Sequence, residues 1–145
     1  MIRRVNIKDF WDLKKLRMVG IVDSNNFWLF KLTNFLLEAV FLTDLWMIIG
    51  LSEYYLFVDR DEEEEMVLGC IGILGKKLIY DCVVSRDYRG KNVMVFLVDH
   101  AVKKICSDGF VPELDCIPEL INYYVRLGFV VVKKGRHDVK MRWKK

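Results

Sequence analysis

The alternation of apolar and polar positions changes character along the chain. Ile2 to Asn6 reads as a short edge strand. Asp9 stands where it can cap a helix whose apolar positions Phe10, Leu13, Leu16 and Met18 follow the 3.6-residue period loosely, and Gly20 breaks it. Asp23-Ser24-Asn25 is a second capping cluster. Behind it, Phe27, Phe30, Leu36, Leu37, Val40 and Phe41 form a long apolar helical segment, rich enough in large side chains to be buried on more than one face. The pattern then turns to strands. Tyr54 to Val58, Met66 to Leu74 and Leu78 to Ser85 carry the aromatic and β-branched content of an antiparallel meander, with Gly75-Lys76-Lys77 as a tight turn.

After Ser85 the period changes again. Met94, Leu97, Val98, Ala101 and Ile105 recur at helical spacing, Lys103 and Lys104 suit the C-terminal end of the dipole, and Asp108-Gly109 ends the helix. Glu113 to Ile117 is a strand. A helix separates it from the strand before, so the two run parallel. Pro118 opens a helix over Glu119 to Leu127 that stops at Gly128, and Phe129 to Lys133 with Val139 to Trp143 make a final hairpin. The order is β-α-α-β-β-β-α-β-α-β-β, an α/β (α+β) chain with a mixed central sheet. No internal repeat or linker interrupts it, so 1–145 reads as a single domain.

Composition narrows the function classes. The chain has 145 residues, 53% of them hydrophobic, which is long and apolar enough for a core. A net charge of +3 with scattered Lys and Arg gives no nucleic-acid footprint. Asp59 to Glu65 is an acidic run, read either as a solvated hairpin tip or as an attractor of cations. Cys70, Cys82, Cys106 and Cys116 include no CxxC pair and no His lies at metal spacing, so no metal is expected. Three of the four lie in apolar strand-like runs, which reads as reduced thiols in a reducing, cytoplasmic compartment. No signal peptide is visible. The apolar stretch from 27 to 51 is broken by Lys31, Glu38 and Asp44, and a span needs roughly 20 nearly uncharged residues, so no integral membrane segment is expected.

Candidate chemistry begins at Arg89-Gly90-Lys91-Asn92-Val93-Met94, where a basic turn opens a helix. Backbone N–H groups there can hold a phosphate chain; the alternative is an ordinary helix cap with surface charge. Tyr123 and Tyr124 sit on the short helix ahead of Gly128-Phe129, as packed aromatics or as a phenol placed to donate a proton. His100 and His137 stand alone and read as surface residues.

The turn, the paired tyrosines and the element order together resemble the GNAT superfamily of N-acetyltransferases. Arg89-Gly90-Lys91 is similar to the start of its acetyl-CoA signature, with Asn92 and Met94 where that signature has glycines. Tyr124-Val125-Arg126-Leu127-Gly128-Phe129 resembles its Tyr-x-Lys/Arg-x-Gly-Phe. The eukaryotic glucosamine 6-phosphate N-acetyltransferase family is most similar. The likeness runs through Leu114-Asp115-Cys116-Ile117-Pro118 to Tyr123-Tyr124, Asp81 to Ser85 ahead of Tyr88-Arg89-Gly90-Lys91, Ser52 to Tyr55, and Leu16, Gly20, Ile21, Val22 and Phe27. Tyr80, Leu120 and Arg17 depart from that family's substrate and cofactor positions.

The resemblance implies a GNAT fold, acetyl-CoA as co-substrate, glucosamine 6-phosphate as acceptor on the route to UDP-N-acetylglucosamine, and a homodimer. It assigns Arg89, Gly90, Lys91, Asn92, Val93, Met94 and Arg126 to the cofactor, with Val83 or Val84 supplying the backbone N–H that polarises the acetyl carbonyl from a strand splayed off its neighbour. Tyr124 would serve the departing thiolate. Asp115 would orient the amine and, with Asp81 and Lys144, hold the acceptor. Either carboxylate can equally be the structural partner of a nearby Arg or Lys. Cys116 as an acetyl carrier has no neighbouring His, so direct attack by the amine is preferred. Acetylation of another amine (a polyamine, a peptide or a lysine) and a non-catalytic CoA-binding relative stand as alternatives.

Overall fold

The computed structural model describes residues 1–9, 12, 15–16, 51–60 and 65–144. The expected helix over Phe27 to Phe41, the apolar stretch from 27 to 51 save Leu51, and Arg17, Gly20, Ile21 and Val22 lie outside the described residues. Among the described residues, seven strands and two α-helices have defined bounds, in order β1 (Ile2–Arg4), β2 (Ser52–Arg60), β3 (Glu65–Leu74), β4 (Leu78–Val84), α1 (Val93–Ser107), β5 (Glu113–Cys116), α2 (Ile121–Arg126), β6 (Phe129–Lys134) and β7 (Val139–Trp143). They build one mixed sheet in the order β1-β2-β3-β4-β5-β7-β6, antiparallel throughout except where β4 meets β5. Among the described residues no helix is long and apolar enough to cross a membrane.

Alternation along the strands divides the core between the two faces of this sheet. On one face Tyr55, Ile71, Ile73, Ile79, Leu114 and Met141 pack beneath Val93, Leu97, Val98, Ala101 and Ile105 of α1 and Tyr124 of α2. On the other, Tyr54, Leu56, Val58 and Cys70 pack with Leu16 and with the half-buried Tyr80 and Val83. His100, expected at the surface, is half-buried edge-on to the Tyr55 ring at 4.6 Å, and burial holds its pKa below the ordinary value.

One expected boundary moves for a physical reason. The helix over Glu119 to Leu127 splits, because Leu120 N–H bonds back to Ile117 O at 3.0 Å and closes a tight 3-10 turn over Pro118–Leu120 before α2 begins. The helix expected after Asp9 lies mostly outside the described residues, and the Asp9 carboxylate is bound from the β1 side. It accepts two bonds from the Arg3 guanidinium at 2.7 Å each and one from Asn6 N–H at 2.7 Å. Arg3 also binds Glu65, so the last acid of the 59–65 run is tied to β1 instead of solvated.

β4 carries the irregularity that shapes the site. Gly72 pairs with Tyr80 and Cys70 with Val83, so Asp81 and Cys82 together face Ile71. This is a β-bulge, and Asp81 occupies its left-handed position with φ of 47°. A non-glycine residue there costs about 1–2 kcal/mol, less for Asp with a local hydrogen bond. On the other side of β4, pairing with β5 is confined to Leu78↔Glu113 and Ile79↔Leu114. Beyond Ile79 the two parallel strands part, although β4 runs on to Val84 and β5 to Cys116.

Candidate active site

The gap between the parting strands opens into a cavity of about 530 Å³. Its walls come from Cys82, Val83 and Val84 on β4, Tyr88 to Gly90 and Asn92 to Val95 at the start of α1, Ile117 and Leu120 after β5, and Tyr123 and Tyr124 on α2. The volume lies within the roughly 300–1,000 Å³ usual for small-molecule sites.

The α1 entrance forms without the glycines of the signature. Gly90 has φ of 78° and Asn92 is left-handed with φ of 61°. Asn is among the non-glycine residues that tolerate this region, which explains how the first glycine is dispensed with. The ladder of α1 starts with Phe96 N–H to Asn92 O at 3.1 Å, so the amides of Val93, Met94 and Val95 precede it at the cavity wall. Met94 turns its side chain toward β4, where its Sδ meets Cys82 Sγ at 2.7 Å. Arg89 Nε bonds Val84 O at 3.3 Å and ties the turn to the end of β4. Lys91 does not line the cavity; its Nζ lies 4.5 Å from the centre of the Tyr88 ring, which does.

Tyr124 is buried and stacks edge-to-face on Tyr123 at 5.4 Å and on Phe129 at 5.9 Å. The Gly-Phe that follows has a mechanical role. Gly128, with φ of 101°, turns the chain out of α2, and a Cβ there would fall 2.8 Å from the Trp143 ring. Phe129, 1% exposed, then wedges between Tyr124 and Trp143. Burial, with Cys82, Cys116 and Tyr123 adding to it, pushes the Tyr124 phenol far above its ordinary pKa. It therefore stays protonated across the neutral range.

The remaining candidates fall elsewhere. Asp115 is exposed on β5 opposite Lys140, on the face away from Leu114 and Cys116. Asp81 accepts the Tyr54 hydroxyl at 2.6 Å. Arg126 is exposed at the end of α2. Lys144 donates its backbone N–H to Gly128 O at 3.0 Å, at the end of β7 beyond the Glu113↔Arg142 pair, while the cavity lies past the Cys116 end of β5. Arg142 is bound through Nε (3.0 Å) and an Nη (2.8 Å) to the buried Glu113, which Lys77 and Lys140 also approach. Cys116 is buried against Met141, and burial with Asp115 nearby raises its pKa. Sequence reasoning missed Cys82, Tyr88, Ile117 and Tyr123 as cavity walls. The adjacency of Tyr123 to Tyr124 was a usable signal. Nothing local marks Cys82 or Ile117, which become walls only because the strands part. Among the described residues no group of three or more His, Cys, Asp or Glu converges on a metal position.

The Acetyltransferase (GNAT) family model matches residues 24–129, most of the chain. The chain belongs to the GNAT acetyltransferase family. Members are N-acetyltransferases that use acetyl-CoA, and the present chain is one of them. Solved structures share its fold at low identity. A GNAT-family acetyltransferase from Staphylococcus aureus is 14% identical with a TM-score of 0.70, over 99% of this chain and 97% of the other. The PaiA N-acetyltransferase of Thermoplasma acidophilum, solved with coenzyme A, is 16% identical with a TM-score of 0.70, over 100% and 98%. An aminoglycoside 6'-N-acetyltransferase, also with coenzyme A, is 16% identical with a TM-score of 0.66, over 98% and 95%. No curated protein sequence matches. The GNAT assignment accounts for the mixed seven-stranded sheet.

Proposed function

We propose that this GNAT acetyltransferase acts by direct attack of a primary amine on acetyl-CoA lodged between β4 and β5. One observation carries the reading: the amides ahead of the α1 ladder, the unpaired end of β4 and the protonated Tyr124 converge on one cavity. The Gly90 to Met94 amides hold the pyrophosphate, assisted by the charges of Arg89, Lys91 and Arg126. A Val83 or Val84 N–H polarises the acetyl carbonyl. The amine nitrogen bonds the carbonyl carbon and the C–S bond breaks. Tyr124 gives its proton to the departing sulfur and recovers one, through water, from the acylated nitrogen. The raised pKa of Cys116 argues against a thiolate carrier and for direct attack.

For the acceptor, the Leu114 to Phe129 and Asp81 to Lys91 motifs support glucosamine 6-phosphate; Asp81 and Asp115, which do not line the cavity, are given to the sugar by the resemblance alone. Lys144 lies away from the cavity of its own chain, so this reading takes the phosphate contact from a second chain. The homodimer would use the β6 edge, where Val130, Val131 and Val132 are exposed in succession. The same placement of Lys144, with Arg142 engaged by Glu113, favours a second reading: an unphosphorylated amine such as a polyamine, a peptide N-terminus or a lysine. The free cysteines support a reducing, cytoplasmic setting. Initial rates with glucosamine 6-phosphate, spermidine and a lysine peptide decide between the acceptors. No turnover of the sugar phosphate removes the first.

A further inference from the structure

Tyr54, Gly72 and Tyr80 lie side by side on β2, β3 and β4, since Tyr54 pairs with Gly72 and Gly72 with Tyr80. A Cβ at Gly72 would stand 2.6 Å from the Tyr80 ring and 3.0 Å from that of Tyr54. The missing side chain is the space into which both rings lean, edge to face at 5.3 Å. Over that space Tyr54 spans β3 and delivers its hydroxyl to Asp81 Oδ2 at 2.6 Å. Asp81 is the left-handed first residue of the β4 bulge, a position that suits glycine, and Cys82 and Val83 immediately after it line the cavity.

We infer that Tyr54 is a positioning residue for acetyl transfer: its hydrogen bond to Asp81 holds the β4 bulge and so sets the backbone of Cys82 to Val84 against the cavity. The inference rests on the reading in which this stretch receives the acetyl end of acetyl-CoA. The two-tyrosine bridge over Gly72 is what lets a β2 side chain reach β4. Without the hydroxyl, Asp81 has less reason to stay left-handed, the extra residue can shift along β4, and the N–H groups of Cys82 to Val84 turn.

The test uses the full chain and four variants: wild type, Tyr54→Phe, Asp81→Gly and the double variant. Phe keeps the ring on Gly72, and Gly accepts the left-handed position without a hydrogen bond. Amide hydrogen exchange at Cys82 and Val83, and CoA affinity by calorimetry, are read in all four. In the wild-type background, Tyr54→Phe should speed exchange at these amides and weaken CoA about fivefold. In the Asp81→Gly background it should change affinity by less than about twofold, the non-additivity of two groups acting as a unit. Maximal acetylation rate with saturating substrates should fall with Tyr54→Phe, and by more than its Michaelis constants change. Equal effects in both backgrounds overturn the inference. So does a lower melting temperature with exchange at Cys82 and Val83, CoA affinity and maximal rate all unchanged. If wild type acetylates no amine while the exchange and affinity effects appear, the transferase reading fails and the bulge-holding role stands.

Discussion

Leu114 is the last residue of β5 to pair with β4, opposite Ile79, and three residues beyond Ile79 and Leu114, Cys82 and Ile117 line the candidate cavity. The Leu114 and Ile79 side chains are almost fully buried beneath α1, at 2% and 3% exposure. The point of divergence is thus fixed in the core while the strand ends are left for a ligand.

Tyr124→Phe keeps the stacking on Phe129 and Tyr123 and removes only the donor. The maximal rate should fall about 10²-fold, the lower range for a general acid, with little change in the Michaelis constant for acetyl-CoA. Because the folded pKa is raised, the phenol stays protonated as pH climbs from 6 to 9, and no alkaline loss of rate from Tyr124 should appear in that range. A rate–pH profile with a wild-type alkaline limb that vanishes in the Phe variant would contradict this assignment.

At the turn, Asn92 and Met94 should behave oppositely. Asn92→Ala forces a β-carbon with no compensating polar group into φ of 61° and should cost about 1–2 kcal/mol in urea unfolding, whereas Asn92→Gly should be close to neutral. Met94→Gly opens the cavity wall and should tighten CoA severalfold by calorimetry. It also loses the packing on Cys82 and adds backbone freedom in the first turn of α1, so stability should fall by about 1 kcal/mol or more.

Gly72→Ala should destabilise the fold by about 1–3 kcal/mol, the usual cost of overpacking, since two rings must withdraw from the added methyl. Urea unfolding measures it. A change below about 0.5 kcal/mol would show that the rings move easily.

Glu113 predicts the acid response. Its pKa is held below the ordinary carboxylate value, first by the Arg142 hydrogen bonds and then by Lys140 and Lys77. A depressed folded pKa means that the stabilisation is present above the unfolded value of 4.5 and is lost as pH falls through the folded value. Glu113→Gln should lower stability at pH 7 by about 1–2 kcal/mol, the cations being half exposed, and should flatten the melting temperature's decline below pH 4.5.

For the edge strand, sedimentation equilibrium of the wild type should give two chains. Val131→Glu, on the exposed β6 edge, should give one chain with its fold retained by circular dichroism. A monomeric wild type at tens of micromolar would remove the dimer, and with it the second-chain source of the phosphate contact.

Much of this protein could be read along the chain. Aromatic and β-branched content marked β2 to β4, and the 3.6 period marked α1 to within a residue of its start. Tyr124 and the Gly-Phe after it were legible because the requirement is local: a left-handed exit from a helix followed by a ring that must be buried. The tertiary structure alone decided that β4 and β5 part after Ile79 and Leu114, that Asp81 turns left-handed opposite Ile71 and answers Tyr54, and that Arg142 is spent on Glu113 while Lys144 lies at the far end of the sheet. A side chain's period and a residue's backbone preference are properties of neighbours in sequence. Which strand supplies the next hydrogen bond, and where none does, depends on residues brought together from distant parts of the chain.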